Sequence, residues 1–198
     1  MSKQQFVLTG TGGQGLILAA IVIAEAAVLS RLNAVQSQSY GPEARGGASK
    51  AEVIVSDQVI HYPHVHQPDF VITMSEQSYK QYGLDLREEA VLIVDNTYVT
   101  NIKPRGRNLY SLPITKMARV TFGSEQSANI VAVGVVAALS DVVPFEQLRE
   151  AVARRVPKGT VDQNTKAMEL GWNLGREAKA TALSKIALNV GEKNEYEQ

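Results

Sequence analysis

The stretch that most constrains this chain is Thr9 to Gly15, TGTGGQG, set between the apolar run Phe6-Val7-Leu8 and the apolar segment Leu16-Ile17-Leu18-Ala19-Ala20-Ile21-Val22-Ile23-Ala24. A strand, a turn with four glycines and a helix in immediate succession is how an α/β domain brings backbone N–H groups to a helix N-terminus, where the macrodipole favours an anion. The turn therefore holds a nucleotide, meets some other anion, or only lets the helix approach the sheet closely.

The spacing Gly10-x-Gly12-x-x-Gly15 matches the dinucleotide fingerprint. Such a site also needs an acid at the end of the second strand to take the ribose hydroxyls. Here that segment ends Ser37-Gln38-Ser39, and the nearest acid, Glu43, stands inside a Gly/Pro loop. A nucleotide-triphosphate loop fails for a sharper reason, because Leu16 occupies the place of the lysine that neutralises the terminal phosphates. A free-standing dinucleotide-binding oxidoreductase is thus the alternative reading, and a purely structural subunit with no ligand contact is another.

The rest of the chain continues an α/β rhythm. The first helix is expected to run to about Arg31, and its apolar residues cover most of its circumference, so it needs burial on two sides. The sheet covers one; a partner subunit is the favoured cover for the other. Asn33 to Ser39 reads as a polar strand leading into Tyr40-Gly41-Pro42-Glu43-Ala44-Arg45-Gly46-Gly47, where the breakers impose a rigid loop. Ala51 to Ser56 and Val59 to Tyr62 read as a hairpin about Asp57-Gln58.

Asp69 to Thr73 and Ala90 to Val94 are short uninterrupted apolar runs, as in strands covered on both faces. Between them Ser75 caps one or two helical turns that stop at Gly83. Asp95-Asn96 ends a central strand, where ligands often sit. Asn108 to Leu112 is an edge strand, and Ser124 to Asp141 is a second all-apolar helix rich in small residues. Pro144 opens a helix with a Phe145, Leu148, Val152, Val156 stripe, and a last helix from about Val161 to Lys179 aligns Asn164, Ala167, Gly171 and Leu174. The expectation is one α/β domain over residues 1–183 with a C-terminal tail over 184–198: a three-layer, Rossmann-like fold with a mainly parallel sheet and helices on both faces.

Composition narrows the chemistry. Twenty basic residues balance twenty acidic ones, so overall charge gives no support for a nucleic-acid partner. There is no cysteine, which rules out disulfides and cysteine-held iron–sulfur clusters in this chain. No secretory signal is read, and the apolar run from Leu16 to Ala27 is too short to span a bilayer, so a cytoplasmic protein with no membrane partner is expected. His61, His64 and His66 are the only histidines, and without nearby thiolate or carboxylate ligands in sequence they read as loop residues rather than a metal site. Lys103, Arg105 and Arg107 form a basic loop, either solvated or drawn to phosphates.

Gly10-Thr11-Gly12-Gly13-Gln14-Gly15 before a small, apolar helix, then Ser39-Tyr40-Gly41-Pro42-Glu43-Ala44-Arg45-Gly46-Gly47-Ala48-Ser49, then Val55-Ser56-Asp57, resembles the gamma subunit (domain III) of the 2-oxoacid:ferredoxin oxidoreductases. The resemblance covers nearly the whole chain, including Asn129 within its apolar helix and Asn164-x-x-Ala167-x-x-x-Gly171, and the YGPEARGG form is most like the 2-oxoglutarate type. It implies an enzyme subunit that acts only within its complex. That complex oxidatively decarboxylates a 2-oxoacid, transfers the acyl group to coenzyme A and reduces ferredoxin. Thiamine diphosphate and magnesium belong to alpha and beta partner subunits, and iron–sulfur clusters to beta or to a delta chain where one is present. This chain holds none of them alone and helps form the coenzyme A site. The candidate contacts for that site are Gly10, Gly12, Gly13, Gln14, Gly15, Tyr40, Glu43, Arg45, Gly46 and Asn129; no catalytic acid or base and no metal ligand is assigned.

Overall fold

In a computed structural model, the backbone is described for residues 3–40, 48–103 and 108–195, and side chains for 3–38, 48–103 and 108–183. Six strands, β1 (Gln4–Thr11), β2 (Asn33–Tyr40), β3 (Ala48–Ser56), β4 (Phe70–Thr73), β5 (Val91–Asp95) and β6 (Leu109–Leu112), form one sheet in the order β2-β3-β1-β4-β5-β6. The β1-β4, β4-β5 and β5-β6 pairings are parallel, whereas β3 runs antiparallel to both β1 and β2. The expected hairpin of residues 51–56 with 59–62 is therefore overturned. β3 already gives both its edges to neighbours, no edge is left for a returning strand, and Val59 is 70% exposed in a loop.

The helices are α1 (Leu16–Leu29), α2 (Glu76–Tyr82), α3 (Ile114–Phe122), α4 (Ala128–Ser140), α5 (Phe145–Arg155) and α6 (Val161–Glu195). Side-chain alternation along β1 sends Phe6 and Leu8 into the large core beneath α1, α3 and α4, while Val7 faces the smaller core under α2 with Tyr79. Ser75 caps α2 as its spacing predicts: its hydroxyl accepts from the Ser78 N–H at 3.2 Å, and Ser78 Oγ accepts the Ser75 N–H at 3.2 Å in return. Pro144 is the N-cap of α5 rather than its first helical residue, and α6 continues well past the expected stop at Lys179.

Helices α5 and α6 add an outer cover: α5 takes part of the second side of α1, where Ile17, Leu18 and Ile21 are half-buried and Val28 is 58% exposed. α5 lies on α1, and Arg154 and Arg155 reach Glu25 across that contact. The hydrogen bond from Arg155 is the main reason the Glu25 carboxyl sits below its ordinary range. α4 lies between the sheet and α6, so all thirteen of its residues are buried. Burial on every side is why α4 is apolar around its whole circumference.

Candidate functional site

Parallel pairing brings the C-terminal ends of β1, β4, β5 and β6 to one edge of the sheet. The start of β3 joins them there, since Ala48 pairs with Thr11, and Ser49 with both Gly10 and Tyr40. The two motif segments thus attach to adjacent strands at the same edge, where open α/β sheets bind ligands.

The turn between β1 and α1 is held by its own side chains. Gln14 folds back so that its Oε1 accepts the Thr11 N–H at 2.7 Å, while its Nε2 donates to the Met74 carbonyl, just past β4, at 3.1 Å. The Gln14 N–H closes the turn onto the Thr11 carbonyl at 3.2 Å. A Cβ on Gly10 would stand 2.2 Å from Gln14 Oε1, so only glycine leaves room for that side chain. Gly15, the N-cap of α1, has φ 74°, and a Cβ there would meet Asn129 Nδ2 at 2.5 Å. Gly12 is different: a Cβ on it would meet nothing within 4 Å, and its φ is not positive. Among the described residues no side chain caps α1, and its first turn carries no acid, so none of them compensates the partial positive charge of its leading N–H groups.

Of the predicted contacts, Gly10, Gly12, Gly13, Gln14, Gly15 and Asn129 are brought together. Asn129, only 6% exposed, donates from Nδ2 to the Gly15 carbonyl at 3.2 Å. The amides of Gln14 and Asn129 are thus spent on the turn itself. Glu43, Arg45, Gly46 and the Tyr40 side chain lie outside the described residues, as do Arg105 and Arg107. His64 and His66 pack around Tyr62 on an exposed loop, and among the described residues no group of three His, Asp or Glu could hold a metal ion.

Asp95 is fully buried, and its carboxylate accepts from the Thr97 N–H and from both the N–H and the hydroxyl of Thr115. It caps the start of α3 and is not presented to a ligand. Sequence reasoning missed a polar cluster at the same edge, in which Tyr98 donates to Glu125 Oε2 and Arg119 donates from Nε to Glu125 Oε1 at 2.8 Å. The Glu125 carboxylate is the main reason the Tyr98 phenol sits above its ordinary range. These residues come from three separate stretches, so no sequence spacing announces them.

On the opposite face Glu52 is 4% exposed, with Lys50 at 2.6 Å, the Ser37 hydroxyl at 2.9 Å and His64 Nδ1 at 3.5 Å. Burial alone would raise its carboxyl, but the hydrogen bonds from Lys50 and Ser37 and the charge of Lys50 outweigh it, and the group sits below its ordinary value of 4.5. A depressed folded-state value means that ionised Glu52 stabilises the fold above that pH, and that the contribution disappears as pH falls through the lower folded value. Glu52→Gln is expected to flatten the acid side of the stability–pH curve below about pH 4.5, measured by urea melts across pH.

The family described as pyruvate ferredoxin/flavodoxin oxidoreductase matches residues 5–174. The 2-oxoglutarate synthase subunit KorC of Methanocaldococcus jannaschii is 39% identical over 178 residues, covering 88% of this chain and 95% of that protein. Among solved structures, the gamma subunit of a keto/oxoacid ferredoxin oxidoreductase from Geobacter sulfurreducens superposes with a TM-score of 0.82 at 40% identity, covering 90% of this chain and 99% of that one. The 2-oxoglutarate:ferredoxin oxidoreductase of Magnetococcus marinus, solved with 2-oxoglutarate, coenzyme A and succinyl-CoA bound, shares the fold. Its TM-score is 0.71 at 18% identity, over 93% of this chain and 32% of that one.

Proposed function

The chain belongs to the pyruvate ferredoxin/flavodoxin oxidoreductase family, and from that premise we propose that it is the gamma subunit of a 2-oxoglutarate:ferredoxin oxidoreductase and forms one wall of the coenzyme A site. Identity near 40% across almost the whole length to subunits of that type supports the substrate class. The complex oxidatively decarboxylates 2-oxoglutarate to succinyl-CoA and carbon dioxide, and two electrons leave on ferredoxin. Thiamine diphosphate and magnesium reside on alpha and beta subunits, and the iron–sulfur clusters on beta or on a delta subunit, in a cytoplasmic assembly. A chain with no cysteine accords with that division of labour.

Coenzyme A supplies the thiol that takes the acyl group, and its phosphates are the anions for which the turn is suited. The N–H groups at the start of α1, together with the backbone of Gly12 and Gly13, are able to receive a phosphate without moving a described charged side chain. One observation carries this reading. Among the described residues nothing requires glycine at position 12, neither a positive φ nor a close neighbour, which suits a bare backbone facing a bound group.

The test begins with the native complex, whose co-purifying chains should include a thiamine-dependent partner. In that complex Gly12→Ala, whose Cβ meets no described neighbour, is expected to raise the KM for coenzyme A about tenfold, because the added Cβ would stand in the space a bound phosphate takes. The KM for 2-oxoglutarate should stay unchanged. An unaltered KM for coenzyme A in an intact complex would instead favour a purely structural subunit.

A further inference from the structure

We infer that Asn129 and Gln14 are positioning residues, two amides that grip the glycine turn from opposite sides and fix the direction of its free N–H groups; the inference rests on the coenzyme A reading above. Each end of the turn is held by a different amide, and each amide is anchored to a different element. At the β1 end Gln14 Oε1 takes the Thr11 N–H and its Nε2 ties the turn to the Met74 carbonyl. At the α1 end the Gly15 carbonyl accepts two donors: the Ala19 N–H at 3.1 Å, which is the first bond of the helix, and Asn129 Nδ2 at 3.2 Å, from the first turn of α4.

The second of these bonds sets the backbone of the N-cap residue itself. Gly15 sits at φ 74°, a conformation that glycine occupies but does not prefer over others, so something must select it. Asn129 does so from a rigid place, because α4 is buried along its whole length and its Oδ1 is held by the Ile130 N–H at 2.9 Å. Between the two grips only Gly12 and Gly13 are exposed. The predicted contacts Gln14 and Asn129 therefore act through the backbone of the turn. A turn held in one conformation before ligand arrives pays less ordering entropy on binding, which appears as affinity for that ligand alone.

The experiment uses the assembled complex carrying Asn129→Asp, which keeps the volume but replaces the donor by a carboxylate oxygen facing the Gly15 carbonyl. Gln14→Met, which keeps bulk beside Gly10 but loses both hydrogen bonds, repeats the test at the other grip should the first variant fail to assemble. The expected result is a rise of five-fold or more in the KM for coenzyme A, with the KM for 2-oxoglutarate and the kcat within about two-fold. Hydrogen exchange at residues 12–16 should quicken in the same variants. If kcat falls with both KM values unchanged, or nothing changes, the positioning role is overturned. Gly12→Ala separates the two failures. If it raises the KM for coenzyme A while neither amide variant does, the site stands and the grip falls; if no variant moves that KM, the coenzyme A reading falls as well.

Discussion

Gly171→Ala is expected to lower the stability of the chain by about 3 kcal/mol, and Gly171→Val to prevent it from folding. A Cβ at Gly171 would stand 1.9 Å from the Val131 carbonyl oxygen, and one at Gly134 would stand 2.2 Å from the Met168 carbonyl oxygen. Helices α4 and α6 thus meet backbone to backbone at two reciprocal positions, with Gly175 against Val135 and Ala138 a turn further on. Alanine in a helix interior gains about 1 kcal/mol over glycine in propensity. The clash nevertheless wins, because neither carbonyl is the end of a flexible side chain and α4 is pinned on its other side by the sheet. A loss of about 3 kcal/mol lowers the thermal midpoint of a domain this size by about 6–12 °C, read by circular dichroism. Gly159→Ala is the control, since a Cβ there meets nothing within 4 Å, and its midpoint should not move. A Gly171→Ala protein as stable as the parent would contradict this packing.

The same pair of helices explains what could be read from the sequence and what could not. The apolar circumference of Leu16–Leu29 was legible as a need for burial on two sides, and the small apolar residues of Ala128–Ser140 as a helix able to pack closely. The identity of the cover was not. The part of that cover found within the chain comes from α5, more than a hundred residues away, whose own apolar stripe is ordinary in sequence. Strand β3 was legible as a strand, but its antiparallel partners were not. The segment that joins it to β2 reads only as a loop, and the adjacent Asp57-Gln58 supplied a competing local turn signal. Helix α3 was not read from the sequence, although its buried residues Ile114, Thr115 and Ala118 stand at helical spacing.

At the site, the glycines and Asn129 were legible as special residues, since a lone amide in an apolar helix must have a partner. Their roles were less so. Gln14 binds the turn's backbone three residues back, but its tie to Met74 and the bond of Asn129 to Gly15 span 60 and 114 residues. Gly10, Gly12 and Gly15 look equivalent in a motif and are not. One makes room for Gln14, one adopts a left-handed backbone beside Asn129, and one has no reason among the described residues to be glycine.

Asp95 presents the opposite case, a residue whose place at the end of a central strand suggests ligand chemistry and whose bonds are all directed inward. Asp95→Ala is expected to cost about 3 kcal/mol of stability, because it removes the acceptor for three donors in one step. Thr97 is partly exposed and water can replace the lost partner there, whereas Thr115 is 2% exposed and keeps an N–H and a hydroxyl with no acceptor. The loss should therefore fall mostly on the Thr115 side. Thr115→Val, which removes only the hydroxyl, should cost about 1 kcal/mol, and adding it to Asp95→Ala should cost little more than Asp95→Ala alone. Urea melts of the four proteins give that cycle. In the assembled complex at a temperature where Asp95→Ala remains folded, the KM for coenzyme A should equal that of the parent, since no bond of this carboxylate points toward the turn. A raised KM in a fully folded, fully assembled Asp95→Ala complex would move this carboxylate from the support of α3 into the ligand site.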